Sequence, residues 1–435
     1  MDQTLIALLA IVGGLLALLG AGVWVAIALA AVAGGAMALF TQVPVANLAA
    51  SALWEASWQW PLTALPLFIW MGEILFRTRL SQDMFNGLGP WVEWLPGRLL
   101  HVNVLGCGIM AAVAGSSAVT ATTVGRMSLP ELQKRGYSES AMIGTLAGSG
   151  TLGLIIPPSV VLIVYGVLSQ QSVARLFVAG LLPGLLLVAL FMGYVMIWSL
   201  LHRDRMPPKD PRLTLGEKLR RSSRLFPIVA LIAAVIGSIY SGIATPTESA
   251  TFGILGALLI AACTRALSWA SFCESLMAAM RISCMIAFII VTAAVLSTAV
   301  AFIGIPQYLA SLVEQWQLSP GWLLLVLTLI FIVLGCFLEG VSILVLSSAV
   351  VLPMLQNAGI DLLWFGIYVV IIIEMAQITP PVGFNLFVLQ SITGRDIWQV
   401  TRAAIPFFLL LCLVAFIIAL FPGIVTWLPS MSHGR

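Results

Sequence analysis

The chain has 435 residues, 61% of them apolar and 9% charged, with a net charge of +3. Soluble domains carry roughly a quarter charged residues, so a soluble enzyme or binding module of this composition is excluded; it could not cover its surface. The apolar residues fall in runs of about 20, the length that spans hydrocarbon, and the reading is an all-α polytopic membrane protein.

The first run, Leu5 to Phe40, is too long for one span and is expected to break at Gly20-Ala21-Gly22. Neither a basic segment nor a small-residue cleavage site precedes it, so it does not read as a removable signal peptide. Val45 to Trp60 follows as a surface segment carrying Trp54, Trp58 and Trp60. Such rings anchor at the headgroup level; contact with another membrane subunit is an equal reading. Ser81 to Leu95 is amphipathic, and Trp91 and Trp94 mark it as interfacial. Residues 1–100 are thus expected to form scaffold helices and an arm.

Residues 101–201 read as a first transport repeat. An apolar run reaches a small, polar tip at Ala114 to Ser117, and a second short run leads out to Pro130. About 13 residues of helix cover only ~20 Å, so the pair predicts a re-entrant hairpin. A later helix is expected to break over Gly148 to Pro158, because the Pro157-Pro158 pair removes donors and clashes with the preceding turn. Gly148, Gly150 and Gly153 formally match GxGxxG, but no strand precedes them and no dinucleotide fold follows.

Residues 202–224 hold the richest basic stretch: Arg203, Arg205, Lys209, Arg212, Lys218, Arg220, Arg221 and Arg224 against Asp204, Asp210 and Glu217. A cytoplasmic loop obeying the positive-inside rule explains it better than a nucleic-acid patch. Threading from that loop puts both termini in the periplasm, with only Arg175 and Arg435 clearly out of place. Within 225–318, Leu225 to Cys263 reads as two spans joined by Gly242 to Glu248, and Ser268 to Met280 as a second amphipathic arm.

Residues 319–421 repeat the first pattern, ahead of a periplasmic tail at 422–435. Pro130 and Pro157 are 27 residues apart, as are Pro353 and Pro380; Pro157 and Pro183 are 26 apart, as are Pro380 and Pro406. The second tip is Leu338 to Ser342 and the second break Glu374 to Asn385. Lys134 and Arg135 put the base of the first hairpin on the cytoplasmic side, whereas the second base, with Asn357 and Asp361, carries no positive charge. The copies are therefore inverted, and inverted repeats with broken helices point to a secondary transporter with a mid-membrane site.

At such a site, helix C-termini suit a hard cation such as Na⁺ and helix N-termini suit an anionic group. The cation candidates are Gly115, Ser116, Ser117, Gly148, Gly150, Thr151, Gly153, Glu339, Gly340, Gln377, Thr379 and Gly383. Glycines admit an ion to the backbone, and hydroxyls and amides add oxygens. The substrate candidates are Ser117, Thr120, Pro158, Ser159, Ser342, Asn385 and Arg126. Packing of small residues between helices is the plain alternative. Intramembrane carboxylates are rare and usually functional; Glu339 reads as a cation ligand or a proton carrier, and Glu374 as functional or as a brace of the broken helix. Arg126 either draws an anion or snorkels to the cytoplasm. Cys107, Cys263, Cys273, Cys284, Cys336 and Cys412 form no CxxC pair and read as inert. His101, His202 and His433 make no constellation, and no HExxH, GxSxG or Walker motif occurs. No catalytic residue, transition metal or cofactor is expected, Na⁺ being the coupling ion.

Residues 115–131 (GSSAVTATTVGRMSLPE), 135–137 (RGY), 150–159 (GTLGLIIPPS), 242–250 (GIATPTESA) and 378–387 (ITPPVGFNLF) resemble the large membrane subunit of TRAP transporters, the tripartite ATP-independent periplasmic family, DctM-like. The resemblance covers essentially the whole chain. It implies a Na⁺-coupled elevator importer in the bacterial inner membrane. It also implies a small four-helix membrane subunit, a periplasmic substrate-binding protein, a small organic acid as substrate, and cation sites at the hairpin tips and helix breaks. The family often carries Asp at the second tip, where this chain has Glu339. Competing readings are a stand-alone Na⁺/dicarboxylate symporter, for which Ser-Asn-Thr tips are expected, and a cation/proton antiporter using Glu339 and Glu374. A non-transporting scaffold needs no strained backbone at mid-membrane, and two repeated breaks argue against it.

Overall fold

A computed structural model of the chain describes residues 3–78, 80–208, 213–315, 319–336, 338–380 and 383–431. Every described element is helical. The N-terminal run breaks where expected, into α1 (Gln3–Gly20) and α2 (Val25–Phe40). The tryptophan segment is α3 (Val45–Ser57), which passes through a short tight turn at Trp60–Thr63 into α4 (Ala64–Phe76); the arm is α5 (Leu80–Val92). The first hairpin is α6 (Leu100–Ala114) and α7 (Ser117–Lys134). The broken helix is α8 (Glu139–Gly150), the one-turn α9 (Leu152–Ile155) and α10 (Val160–Ser169), followed by α11 (Val173–Leu201). The basic stretch forms α12 (Leu215–Ser222); Lys209, Asp210 and Arg212 lie outside the described residues, as do Pro381, His433 and Arg435.

The second half comprises α13 (Phe226–Tyr240), α14 (Pro246–Cys263), α15 (Trp269–Ile303) and α16 (Ile305–Gln315). The second hairpin is α17 (Pro320–Gly335) and α18 (Gly340–Asn357), and the second broken helix is α19 (Leu362–Gln377) and α20 (Phe384–Thr393). Then come α21 (Ile397–Leu420) and α22 (Gly423–Met431). Among the described residues, seven segments are long and apolar enough to cross a bilayer: α1, the α8–α10 unit, α11, α14, α15, α18 and α21.

Local chemistry sets the helix ends. At the start of α14, Thr245 Oγ1 accepts from the Glu248 N–H (3.3 Å) and Glu248 Oε2 accepts from the Thr245 N–H (2.8 Å), with Pro246 in the first turn. The GIATPTE motif is thus a capping box. α7 and α18 end alike. Gly136 and Gly359, both at positive φ, close Schellman motifs: the Tyr137 N–H reaches the Leu132 carbonyl (3.1 Å), and the Ile360 N–H reaches that of Leu355 (3.0 Å). Pro130 and Gly136 are six residues apart, as are Pro353 and Gly359, a further landmark of the repeat.

Three expectations change. The outer hairpin arms do not end at their prolines, because α7 continues through Pro130 to Lys134 and α18 through Pro353 to Asn357. A helix-interior proline costs about 3 kcal/mol, but the fully buried Leu132 and Leu355 hold the last turns in place. The first break is shorter than expected. Gly148 and Gly150 lie in α8 and Gly153 in α9, and the chain leaves helical geometry only from Ile156 to Ser159. Every residue from 142 to 155 is buried, and that packing outweighs the weak helix preference of glycine. Finally, Ser268 to Met280 is no separate arm. It opens the 35-residue α15, about 52 Å long, which contains neither proline nor glycine. The short amphipathic helix before the second hairpin is α16.

The repeat reappears in the packing. α7 packs on α20 and α18 on α10; α8 packs on α21 and α19 on α11. Further out, α2 packs on α15 and α14 on α4. Reciprocal contacts of this kind are what a two-fold axis between the repeats produces. Each hairpin's outer arm therefore lies on the helix that follows the other repeat's break.

Candidate transport site

The first tip is two residues long, with Gly115 left-handed (φ +58°) and Ser116 extended. A Cβ on Gly115 would meet the Pro158 carbonyl at 3.2 Å and the Val160 nitrogen at 3.3 Å. A Cβ on Gly153 would come within 2.5 Å of Ser117 Cα. Tip and break thus touch backbone to backbone, which only glycine permits. With 15 residues, about 22 Å, α6 falls short of a ~30 Å hydrocarbon core, and its tip meets the middle of the 31-residue α8–α10 unit. The hairpin ends halfway.

The second tip sits on the second break in the same way. Cys336 Sγ donates to the Pro380 carbonyl (3.4 Å), and a Cβ on Gly340 would lie 3.1 Å from both Gln377 Nε2 and Leu154 Cδ1. Gly383 (φ +40°) is wrapped by the Thr379 and Gln377 carbonyls, which lie 2.8 and 3.0 Å from where its Cβ would stand. Backbone carbonyls turned onto one glycine are hard oxygen ligands of the kind a small cation takes.

Leu154 joins the repeats. Its N–H donates to Glu374 Oε1 (3.2 Å). Glu374 is fully buried, its Oε2 has no protein partner, and the Ser117 side chain lies beside the carboxyl group. Gln377, about one turn on, is buried with Oε1 unpartnered. Orphaned buried oxygens cost about 1–3 kcal/mol each, a cost that a bound ion or water relieves.

Four helices begin at this level, and their starts differ. α18 is capped by Glu339, whose carboxylate accepts from the Val341 N–H (3.2 Å), and α10 by Ser159, whose Oγ accepts from the Leu162 N–H (3.4 Å). α7 and α20 begin at Ser116 and Gly383 with no side-chain cap. These two uncapped helices pack together. Gly125 faces Ile392 Cδ1, and beyond it Leu129, Pro130 and Gln133 of α7 share a cavity wall with Thr393 and Gly394 at the end of α20, so the pair runs parallel from its N-termini. Just inside, Thr120 Oγ1 and both side-chain polar atoms of Asn385 are buried and unpartnered. Paired helix N-termini attract negative charge.

A family model of the tripartite ATP-independent periplasmic transporter, DctM component, matches residues 12–424. The chain belongs to this family. It is 32% identical to the C4-dicarboxylate TRAP transporter large permease protein DctM of Pseudomonas aeruginosa, over 90% of this chain and 91% of that one. The protein of the same name in Rhodobacter capsulatus is 30% identical over 98% of this chain and 97% of its own. The isethionate TRAP transporter permease protein DctMQ of Oleidesulfovibrio alaskensis is 29% identical, over 84% of this chain and 57% of its own length. These relatives are transport permeases, not enzymes. The Alcanivorax borkumensis YdaH transporter shares the fold, with a TM-score of 0.61 at 13% identity over 87% of each chain.

In this DctM chain the sequence-predicted site residues fall in three places. Gly115, Ser116, Ser117, Gly153, Pro158, Ser159, Glu339, Gly340, Gln377, Thr379 and Gly383 lie on the tips and breaks or pack directly against them. Thr120, Ser342 and Asn385 are buried in the first turns beyond them. The rest stand apart. A Cβ on Gly148 would enter the Phe407 ring, one on Gly150 would meet Ala121 Cβ at 2.9 Å, and Thr151 Oγ1 donates to the Gly148 carbonyl (2.6 Å). What these three do here is pack and close a helix. Arg126 is exposed halfway along α7, lining a cavity of about 360 Å³ with Glu139 and Arg395. Sequence reasoning missed Leu154, which acts through its backbone N–H, and the Cys336 contact to Pro380.

Proposed function

We propose that this DctM chain is the large membrane subunit of a Na⁺-coupled secondary importer of a small organic acid. One observation carries the reading: the mid-membrane site offers two opposite chemistries side by side. Glu374, Gln377 and the carbonyls of Gln377 and Thr379 supply oxygens for Na⁺. The uncapped starts of α7 and α20, with Thr120 and Asn385, supply donors for a carboxylate. Ser117 belongs to both, lying beside Glu374 at the first position of α7. An ion and an anion sharing that boundary each strengthen the other's binding, which is the reciprocal coupling a symporter needs.

In this reading the crosswise packing of α6–α11 with α17–α21 makes one moving body. The helices α1–α4 and α13–α15 form the scaffold, and α5 and α16 link the two in an elevator mechanism. The termini face the periplasm and the basic α12 faces the cytoplasm of a bacterial inner membrane. A periplasmic binding protein delivers the substrate. A small four-helix membrane subunit assembles with this chain. The test is uptake of organic acids into proteoliposomes holding the chain with its small subunit and binding protein. Uptake should require both an inward Na⁺ gradient and the binding protein, and full uptake without either overturns the proposal.

A further inference from the structure

Where α5, α12 and the foot of the first hairpin meet there is a cavity of about 460 Å³, lined by Glu93, Trp94, Arg98, Arg135, Tyr137 and Lys218 among others. A second, of about 260 Å³, shares Glu93, Leu99 and Arg135 with it and adds Arg221. Four cationic side chains thus line the two adjoining cavities. Against them stand Glu93 and Glu131, the latter paired with Arg135 at 3.0 Å.

The walls are built. α12 starts at a capping box, with Thr214 Oγ1 accepting from the Glu217 N–H (3.3 Å) and Glu217 Oε2 accepting from the Thr214 N–H (2.8 Å). Trp91 Nε1 donates to Ser222 Oγ (2.7 Å), which donates to the Gly87 carbonyl (2.8 Å), so α12 is fastened to α5. That phase turns Lys218 and Arg221, three apart on one helix, to the cavity, and Lys218 Nζ stands 6.0 Å from the centre of the Trp91 ring. Opposite, Arg98 is held at φ +46°, a region non-glycine residues rarely adopt, and its guanidinium donates to the Pro207 carbonyl. The Tyr137 hydroxyl accepts from the Leu99 N–H (3.3 Å). α5 and α12 are amphipathic, and Trp91 and Trp94 are 42% and 77% exposed, which sets the cavity at headgroup depth.

We propose that this cavity binds the phosphate headgroup of an anionic phospholipid. A headgroup there touches the arm α5 and the hairpin foot at Arg135 and Tyr137 together, tying one to the other. The inference rests on the chain spanning a bilayer; it is independent of Na⁺ coupling and of transport direction, so it fails separately from them.

The experiment uses the full chain purified in a neutral detergent, with thermal unfolding and native mass spectrometry as readouts. Added phosphatidylglycerol should raise the melting temperature and stay bound as a one-to-one adduct, and phosphatidylcholine should do neither. Replacing Lys218→Gln and Arg221→Gln together should weaken the phosphatidylglycerol effect about 30-fold. Replacing Arg220→Gln and Arg224→Gln, the same charge change on residues that do not line the cavity, should leave it within about twofold. Equal loss in both double variants, or no preference over phosphatidylcholine, overturns the site. An equal shift from inorganic phosphate alone overturns the lipid as its source.

Discussion

The pair α7–α20 and the pair α10–α18 occupy equivalent places in the two repeats, yet they start on opposite terms. In α10–α18 the helix starts are closed by the chain's own side chains, Ser159 and Glu339. In α7–α20 they are left to Ser116 and Gly383, with buried, unpartnered Thr120 and Asn385 behind them. A two-fold backbone thus carries a one-sided electrostatic pattern, and a handful of side chains decides which pair of helix starts is closed. The comparison also gives Glu339 a definite task. One of its carboxylate oxygens closes its own helix at the Val341 N–H.

The comparison can be broken most sharply at Asn385. Asn385→Leu should cut uptake about 100-fold while thermal stability holds or rises by about 1 kcal/mol, because an unsatisfied buried amide is removed. Uptake and stability falling together would make Asn385 a structural residue. Gly153→Ala comes next: its Cβ would press on the Ser117 backbone, so stability should fall by about 1–3 kcal/mol as the first tip shifts. Chemical denaturation reads the first effect, and weakened Na⁺ activation of uptake reads the second.

Ser116→Asp would give α7 the kind of cap that α18 already has. It should add about 0.5–1 kcal/mol of stability and raise the half-saturating substrate concentration about tenfold, since the new carboxylate competes with an anionic ligand. Unchanged uptake would mean the anion goes elsewhere. The smallest effect is expected at Glu339→Gln, whose amide oxygen can still accept from Val341, so uptake should stay within about threefold of the parent. A collapse of Na⁺ dependence in that variant would place the carboxylate on the ion itself.

Much of this architecture was legible in the chain. Proline pairs announce breaks because proline has no N–H to give, and the equal proline spacings announce the repeat that reappears in the helix packing. What sequence reasoning overstated was the extent of the first break. Gly148, Gly150 and Gly153 look like an unwound loop, but dense burial keeps them helical, and each glycine serves a close approach instead. The Leu154 contact to Glu374 was invisible because a backbone N–H is the same at every leucine. The capping contrast was half legible: Glu339 stands where a cap is expected, but the absence of caps on α7 and α20 shows only in geometry.

The two sides of the scaffold also differ in stiffness. α15 runs 35 residues without a joint, whereas its counterpart is cut into α3 and α4 by the turn that holds Pro61. A load carried between one rigid strut and one jointed strut bends at the joint. In the proposed elevator, displacement of the two repeats against the scaffold would bend the chain at Trp58 to Thr63 and leave α15 straight.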